Sequence, residues 1–222
     1  SAIDYGRRAL ALLPPTAYAA RFPLLLTCVR IANHQGKRTE AQRDLEELQQ
    51  LASRLDDGTT ASLRRQAEVM LCVADYGRGL GDDLAIGTAA QAAIGLAEQC
   101  GATDLAARAY FFWAESNFWQ NETFVAARAQ LEKAISRAHA AGLQQTAAEA
   151  LSMLGLHSLY SGVLFQQIET ELQQSLALYQ QIGDPAGQSG ALGMLAYLLY
   201  RQREGGYAQG IRYCEQALQL PV

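Results

Sequence analysis

Residues 142–185, GLQQTAAEALSMLGLHSLYSGVLFQQIETELQQSLALYQQIGDP, decide the fold. The stretch opens on Gly142 and closes on Gly183, 41 residues later. Between them lie two segments of helical periodicity, 146–160 and 164–182, broken by a turn at Gly162. Neither shows the alternation of apolar and polar residues that a strand requires, and Ala, Leu, Gln and Glu dominate both. Glycine ends helices because it enters the left-handed backbone region at no steric cost. Asp184-Pro185 then supplies a capping carboxylate followed by a residue suited to a first helical turn. The stretch reads as helix, turn, helix, stop and restart.

Working outward, Gly101 precedes Gly142 by the same 41 residues. A second register agrees: the small residues Cys72, Ala114, Gly155 and Ala196 are spaced by 42, 41 and 41, each behind a bulky neighbour, Leu71, Trp113, Leu154 or Leu195. Four residues further on stand Tyr76, Phe118, Leu159 and Tyr200, on the same helical face and therefore expected in a core. The second helices echo one another too, Phe124, Ala127, Leu131 and Ala134 against Phe165, Ile168, Leu172 and Ser175. Extended over the chain, the pattern predicts helices at 2–13, 16–34, 39–55, 60–78, 84–100, 104–119, 123–141, 146–160, 164–182, 186–202 and 207–220. The predicted fold class is all-α: a right-handed α-solenoid of antiparallel helix pairs, about five and a half repeats in a single domain over 1–222. Pro23, inside the first full helix, is expected to kink it. That proline is the feature that fits a HEAT or armadillo array, whose period of ~40–47 residues also suits the chain.

The large-small pair Leu154-Gly155, the turn at Gly162, the aromatic or Ala start of the second helix and the stop at Gly183-Asp184 resemble the tetratricopeptide repeat, sustained over nearly the whole chain. The period exceeds the family's usual ~34 residues. It is similar instead to the longer variety found in kinesin light chains and in the arms of bacterial signal-transduction ATPases and transcription activators. The resemblance implies a non-catalytic recognition or regulatory arm of a larger bacterial signalling or transcription-regulating protein, in the cytoplasm, binding a protein or peptide. Small-molecule sensing and a purely structural spacer or oligomerisation role are the alternatives. The first helix lacks its partner, so the protein is expected to continue at both ends, with self-association through uncapped ends.

Composition narrows the function classes. Half of the residues are hydrophobic, enough to bury a core, and the formal charge of −4 with no Lys/Arg cluster argues against direct nucleic-acid binding. No apolar run approaches the ~20 residues of a membrane span, and the start, Ser1-Ala2-Ile3-Asp4, carries no secretion leader. Cys28, Cys72, Cys100 and Cys214 are scattered without a C-x-x-C pair or companion histidines, which predicts buried free thiols and no metal site. The string Gly77-Arg78-Gly79-Leu80-Gly81-Asp82-Asp83 lacks the preceding strand and the lysine of a phosphate loop. It is expected to be an inter-helix turn with Asp82 or Asp83 as a cap. His34, His139 and His157 fall in separate repeats, and Ser152, Ser158 and Ser161 near His157 have no third group to orient it, so neither catalysis nor a cofactor is expected.

Carrying the tetratricopeptide register onto this sequence implies a concave groove lined by Phe111, Glu115 and Trp119, then Ser152, Leu156 and Tyr160, then Tyr197 and Arg201. Phe112, Met153, Gly193 and Met194 occupy matching positions, with packing between adjacent helices the competing reading. Trp119, Tyr160 and Tyr197 are expected to be accessible, since Trp113, Phe118, Leu154, Leu159, Leu195 and Tyr200 fill the core positions. Such a channel suits an amphipathic helix or extended apolar peptide, with Glu115 and Arg201 setting its direction.

Overall fold

A computed structural model describes residues 2–118, 124–202 and 206–221. Among these residues there are eleven helices and no strand. In order they are α1 Ala2–Leu12, α2 Tyr18–His34, α3 Arg38–Arg54, α4 Thr60–Leu80, α5 Asp83–Gln99, α6 Thr103–Ser116, α7 Phe124–Ala140, α8 Gln144–Tyr160, α9 Phe165–Ile182, α10 Pro185–Arg201 and α11 Tyr207–Leu218. The even-numbered helices are the first (A) and the odd-numbered the second (B) of each pair. The chain divides into two compact units, residues 1–119 and 120–222. Within each, helices adjacent in sequence pack together, and successive A helices touch: α2 with α4, α4 with α6, and α8 with α10. The architecture in each unit is an all-α solenoid of helix pairs, as the period predicts.

The glycines stop helices where the spacing placed them. Gly101, Gly142 and Gly183 have φ of 66°, 68° and 69°. At each, the glycine N–H bonds a carbonyl three residues back and the next N–H reaches five back, as in Ala102 to Ala97 (2.8 Å), Leu143 to Ala138 (2.8 Å) and Asp184 to Tyr179 (3.0 Å). These paired bonds satisfy carbonyls that a helix end leaves orphaned. Restart is equally local: the carboxylates of Asp82 and Asp184 accept from the N–H groups of Ala85 and Gly187, each at 3.0 Å. The string at 77–83 is helical through Leu80, and its turn shrinks to Gly81-Asp82. Gly77 sits inside α4 because a Cβ there would press on Ile86 of α5 at 3.3 Å. Pro23 lies exposed within α2, which continues through it to His34 with one fewer N–H donor.

Unit 1 is built on Ile3, Leu10, Phe22, Leu25, Val29, Leu45, Leu48, Leu51 and Val69, with Cys28 and Cys72 among them. Burial pushes the Cys72 thiol up to about 11. In unit 2, Ile168 and Leu172 of α9 meet Leu195 and Leu198 of α10. The small-residue register is a close-packing register here: a Cβ on Gly155 would stand 2.5 Å from Leu172 Cδ2. Ala114 and Cys72 are likewise buried. Gly187 makes the same allowance for the Tyr179 ring, which a Cβ there would overlap.

Candidate protein-binding surface

In unit 1, polar residues outside the core are tied to one another across repeats. Arg64 of α4 makes a two-pronged contact with Asp104 of α6, one prong at 3.0 Å. Asn33 of α2 donates to Asp75 of α4 at 3.2 Å, and Arg38 reaches the Gly79 carbonyl at 2.8 Å. Arg78 binds Asp75 at 2.7 Å, lies 4.0 Å from Glu115 and covers the Phe112 ring at 5.1 Å. Hydrogen bonding to Arg64 holds the Asp104 carboxyl below its ordinary range. Burial raises the Glu68 carboxyl in spite of Arg30 and Arg64 facing it. Partners separated by about one repeat satisfy these charges within the protein.

Unit 2 presents a different face. On α8, Met153 and Leu156 are half-buried and Tyr160 is exposed, and on α10, which touches α8, Gly190, Gly193, Tyr197 and Arg201 are exposed. Tyr160 and Tyr197 are 52% and 40% exposed, high values for side chains that bury when they have a choice. A Cβ on Gly190 or Gly193 would meet nothing within 4 Å, so no packing within the chain requires glycine there. Both lie mid-helix, where glycine costs roughly 0.5–1 kcal/mol relative to alanine. Arg201 lies over the Tyr197 ring at 6.0 Å and donates to its hydroxyl at 3.3 Å. Beside it opens a depression of about 530 Å³ lined by Phe165, Tyr200, Arg201 and Tyr207. Tyr200 stacks on Tyr197 with centroids 6.5 Å apart, and Tyr207 meets Tyr200 edge-on at 6.3 Å.

Of the residues the register placed in a groove, Tyr160, Tyr197 and Arg201 are exposed and Leu156 is half-buried. Trp119 lies outside the described residues. Two placements are corrected. Phe111 is buried with Phe112, because α6 packs nearly all round, with Leu105, Ala106, Ala107, Ala109 and Tyr110 also buried. Ser152 turns to α9: the buried Ser175 hydroxyl donates to the Ala148 carbonyl at 2.8 Å, leaving Ser152 to donate to Ser175 Oγ at 2.7 Å. Glu115, like Leu156, is half-buried, and it lies 4.0 Å from Arg78. Met194 packs against the α9–α10 core.

Tyr200, assigned to the core by its register, is exposed instead. At this last pair the helices approach through glycine: a Cβ on Gly206 would lie 2.9 Å from the Leu199 carbonyl oxygen. Phe165 and Tyr207, each the first residue of a B helix, complete the aromatic edge that the register did not assign. Their signal was present: both follow a turn and lead a helix, where neighbouring helices end and cover least.

The remaining chemistry is sparse. All four cysteines are unpaired thiols, Cys28 and Cys72 buried, Cys100 half-buried and Cys214, against expectation, exposed on α11. Among the described residues no three His, Cys, Asp or Glu side chains converge, and no helix is long and apolar enough to cross a membrane. His157 is buried in α8 beside a polar cluster in which Arg128 donates to Ser158 Oγ at 2.7 Å and Ser158 to Glu171 at 2.9 Å. That cluster joins α7, α8 and α9 in the interior of unit 2. No family model matches the chain, and no curated protein is similar to it in sequence.

Proposed function

We propose that this chain is a non-catalytic recognition module that binds an apolar or amphipathic segment of another protein on the α8–α10 face of unit 2. The observation that carries the reading is the pairing of exposed Tyr160 and Tyr197 with the bare backbone at Gly190 and Gly193. Aromatic rings supply large contact area at low entropic cost, and glycine lets a ligand backbone come close to the helix. Arg201, braced on Tyr197, adds one cation beside an apolar strip and favours a carboxylate at a fixed place in the ligand. The resemblance to the long tetratricopeptide repeat supports placing the module in a larger bacterial signalling or transcription-regulating protein.

Selection of a displayed random-peptide library on the 222-residue chain tests this. Enriched sequences are expected to carry apolar residues at helical or alternate spacing together with an acidic residue. Binding measured by calorimetry should fall at least tenfold in Tyr160→Ala and Tyr197→Ala, with unchanged melting. No enrichment, or binders indifferent to both substitutions, would overturn the proposal.

A further inference from the structure

Within each unit, successive B helices pack on the A helix between them and not on one another, which leaves a furrow between each pair of B helices. In two of these furrows an arginine crosses from wall to wall. Arg7 of α1 reaches Glu40 and Asp44 of α3 at 2.8 and 3.0 Å. Arg128 of α7 reaches Glu171 of α9 at 3.3 Å. The furrow between α3 and α5 is built differently: residues 84–97, the body of α5, carry no charge, so no ion pair spans it there.

Left unbridged, that furrow opens into a cleft of about 480 Å³, within the ~300–1,000 Å³ typical of sites for small organic molecules. It is not an uncovered end of the array, because α1 and α2 precede it and α6 follows it in the same unit. Ala52 of α3, Val69 and Met70 of α4, and Ala92 and Leu96 of α5 give it an apolar floor and far wall. Gln49, Ser53 and Asp56 give it a polar edge along α3 and the turn that follows.

Asp56 carries the charge of the cleft. Its carboxylate accepts from the Ser62 hydroxyl at 2.5 Å and from the Gly58 N–H at 3.2 Å. Hydrogen bonds from Ser62, Gly58 and Gln66 hold the carboxyl below its ordinary range. All three donors are neutral, and neighbouring Arg65 turns instead to the Leu55 carbonyl at 2.7 Å and to Asp57 at 3.9 Å. A negative charge fixed by neutral groups thus stands at the edge of an apolar wall.

We propose that the cleft between α3 and α5 binds a small organic cation, an ammonium or guanidinium borne on a compact apolar body. The cation takes the place between B helices that Arg7 and Arg128 hold in the other furrows, but it comes from solution. Its N–H groups donate to Asp56, a charge-assisted bond, while its apolar body lies on Met70 and Leu96, both half-buried and so able to lose further surface to a ligand. The site is separate from the α8–α10 face and stands whether or not a peptide binds there.

Phenethylammonium is a suitable probe, with phenethyl alcohol and hydrocinnamate as its neutral and anionic counterparts. Saturation-transfer NMR titrations on the 222-residue chain should show saturable binding of the ammonium, at least tenfold weaker binding of the alcohol and none of the carboxylate. Asp56→Asn keeps an acceptor oxygen for Gly58 and Ser62, so melting should be preserved while ammonium affinity falls at least tenfold, to that of the alcohol. Ala92→Phe, at an exposed position, should fill the cleft and abolish binding of both. Ser53→Phe on the opposite wall gives the same readout should Ala92→Phe alter the melt. No saturable binding of the ammonium, equal binding of all three probes, or binding indifferent to Asp56→Asn and to the filled cleft would overturn the proposal.

Discussion

The two units use the same helix pairs and the same inter-repeat spacing, yet they finish their A-helix faces in opposite ways. Unit 1 closes its face with bonds between A helices of neighbouring repeats, Arg64 to Asp104 and Asn33 to Asp75, at separations of 40 and 42 residues. In unit 2, α8 is tied to its successor by Gln145 to Asp184 at 3.3 Å near the helix starts, while the rings of Tyr160 and Tyr197 stand exposed. A backbone that repeats does not oblige its surface to repeat. Where charges are satisfied internally a ligand gains little by displacing them, and where rings stand exposed it gains their burial.

The largest effect expected on this contrast comes from Gly155→Leu. Its side chain would drive into Leu172, so thermal unfolding followed by circular dichroism should show a loss of roughly 1–3 kcal/mol. Trp113 belongs to unit 1, so the fluorescence transition should move less than the dichroism. Equal displacement of the two signals would break the separation.

Next in size is the ligand test. Tyr197→Ala should weaken peptide binding about tenfold, which is about 1.4 kcal/mol, whereas Arg64→Ala in unit 1 should leave it unchanged. A ligand lost with Arg64 rather than Tyr197 would move the binding surface to the other unit. Gly193→Ala sharpens the same point with opposite signs: stability should rise by roughly 0.5–1 kcal/mol while peptide affinity falls. A gain in stability with full affinity would show that the bare backbone has no role in recognition.

The smallest effects belong to the charged face of unit 1. A double-mutant cycle on Arg64 and Asp104 should return a coupling of about 0.2–1 kcal/mol, since both side chains are more than a third exposed. Glu68 should behave differently, because burial raises its carboxyl against Arg30, Arg64 and Arg108, with Asp104 adding to the rise. A carboxyl raised in the folded state favours folding below its unfolded value and loses that contribution as pH climbs through the folded one. Glu68→Gln is therefore expected to leave stability at neutral pH unchanged or slightly higher and to flatten its decline above the ordinary carboxylate range. A marked loss of stability at neutral pH would show that the arginines outweigh burial.

Much of the fold was legible in the sequence because its signals are local. A left-handed glycine every 41 residues and a capping aspartate such as Asp184 act on the backbone beside them, and the structure places helix ends within a few residues of those marks. The candidate face was legible only in part. Helical spacing says which side chains share a face, and Tyr197 and Arg201 do touch, but it does not say which faces neighbours cover. Phe111 and Ser152 failed for that reason: one sits on a helix packed almost all round, and the other satisfies its hydroxyl at α9. Tyr200 failed because at this last pair Leu198 of the same helix enters the core while Tyr200 stands outside it.

The glycine stops also make the chain divisible into cassettes. Gly101, Gly142 and Gly183 each end a B helix with the same φ and the same pair of backbone bonds. Joining Gly142 directly to Asp184 would excise one complete helix pair and recreate an equivalent joint, because the local bonds that form it involve only residues on either side. The small residues that set helix spacing recur with the same period, so the new neighbours, α7 and α10, inherit compatible surfaces. Duplication or deletion in whole cassettes can thus change the length of such an array without inventing a new turn, while the exposed side chains of each cassette drift independently toward whatever they bind.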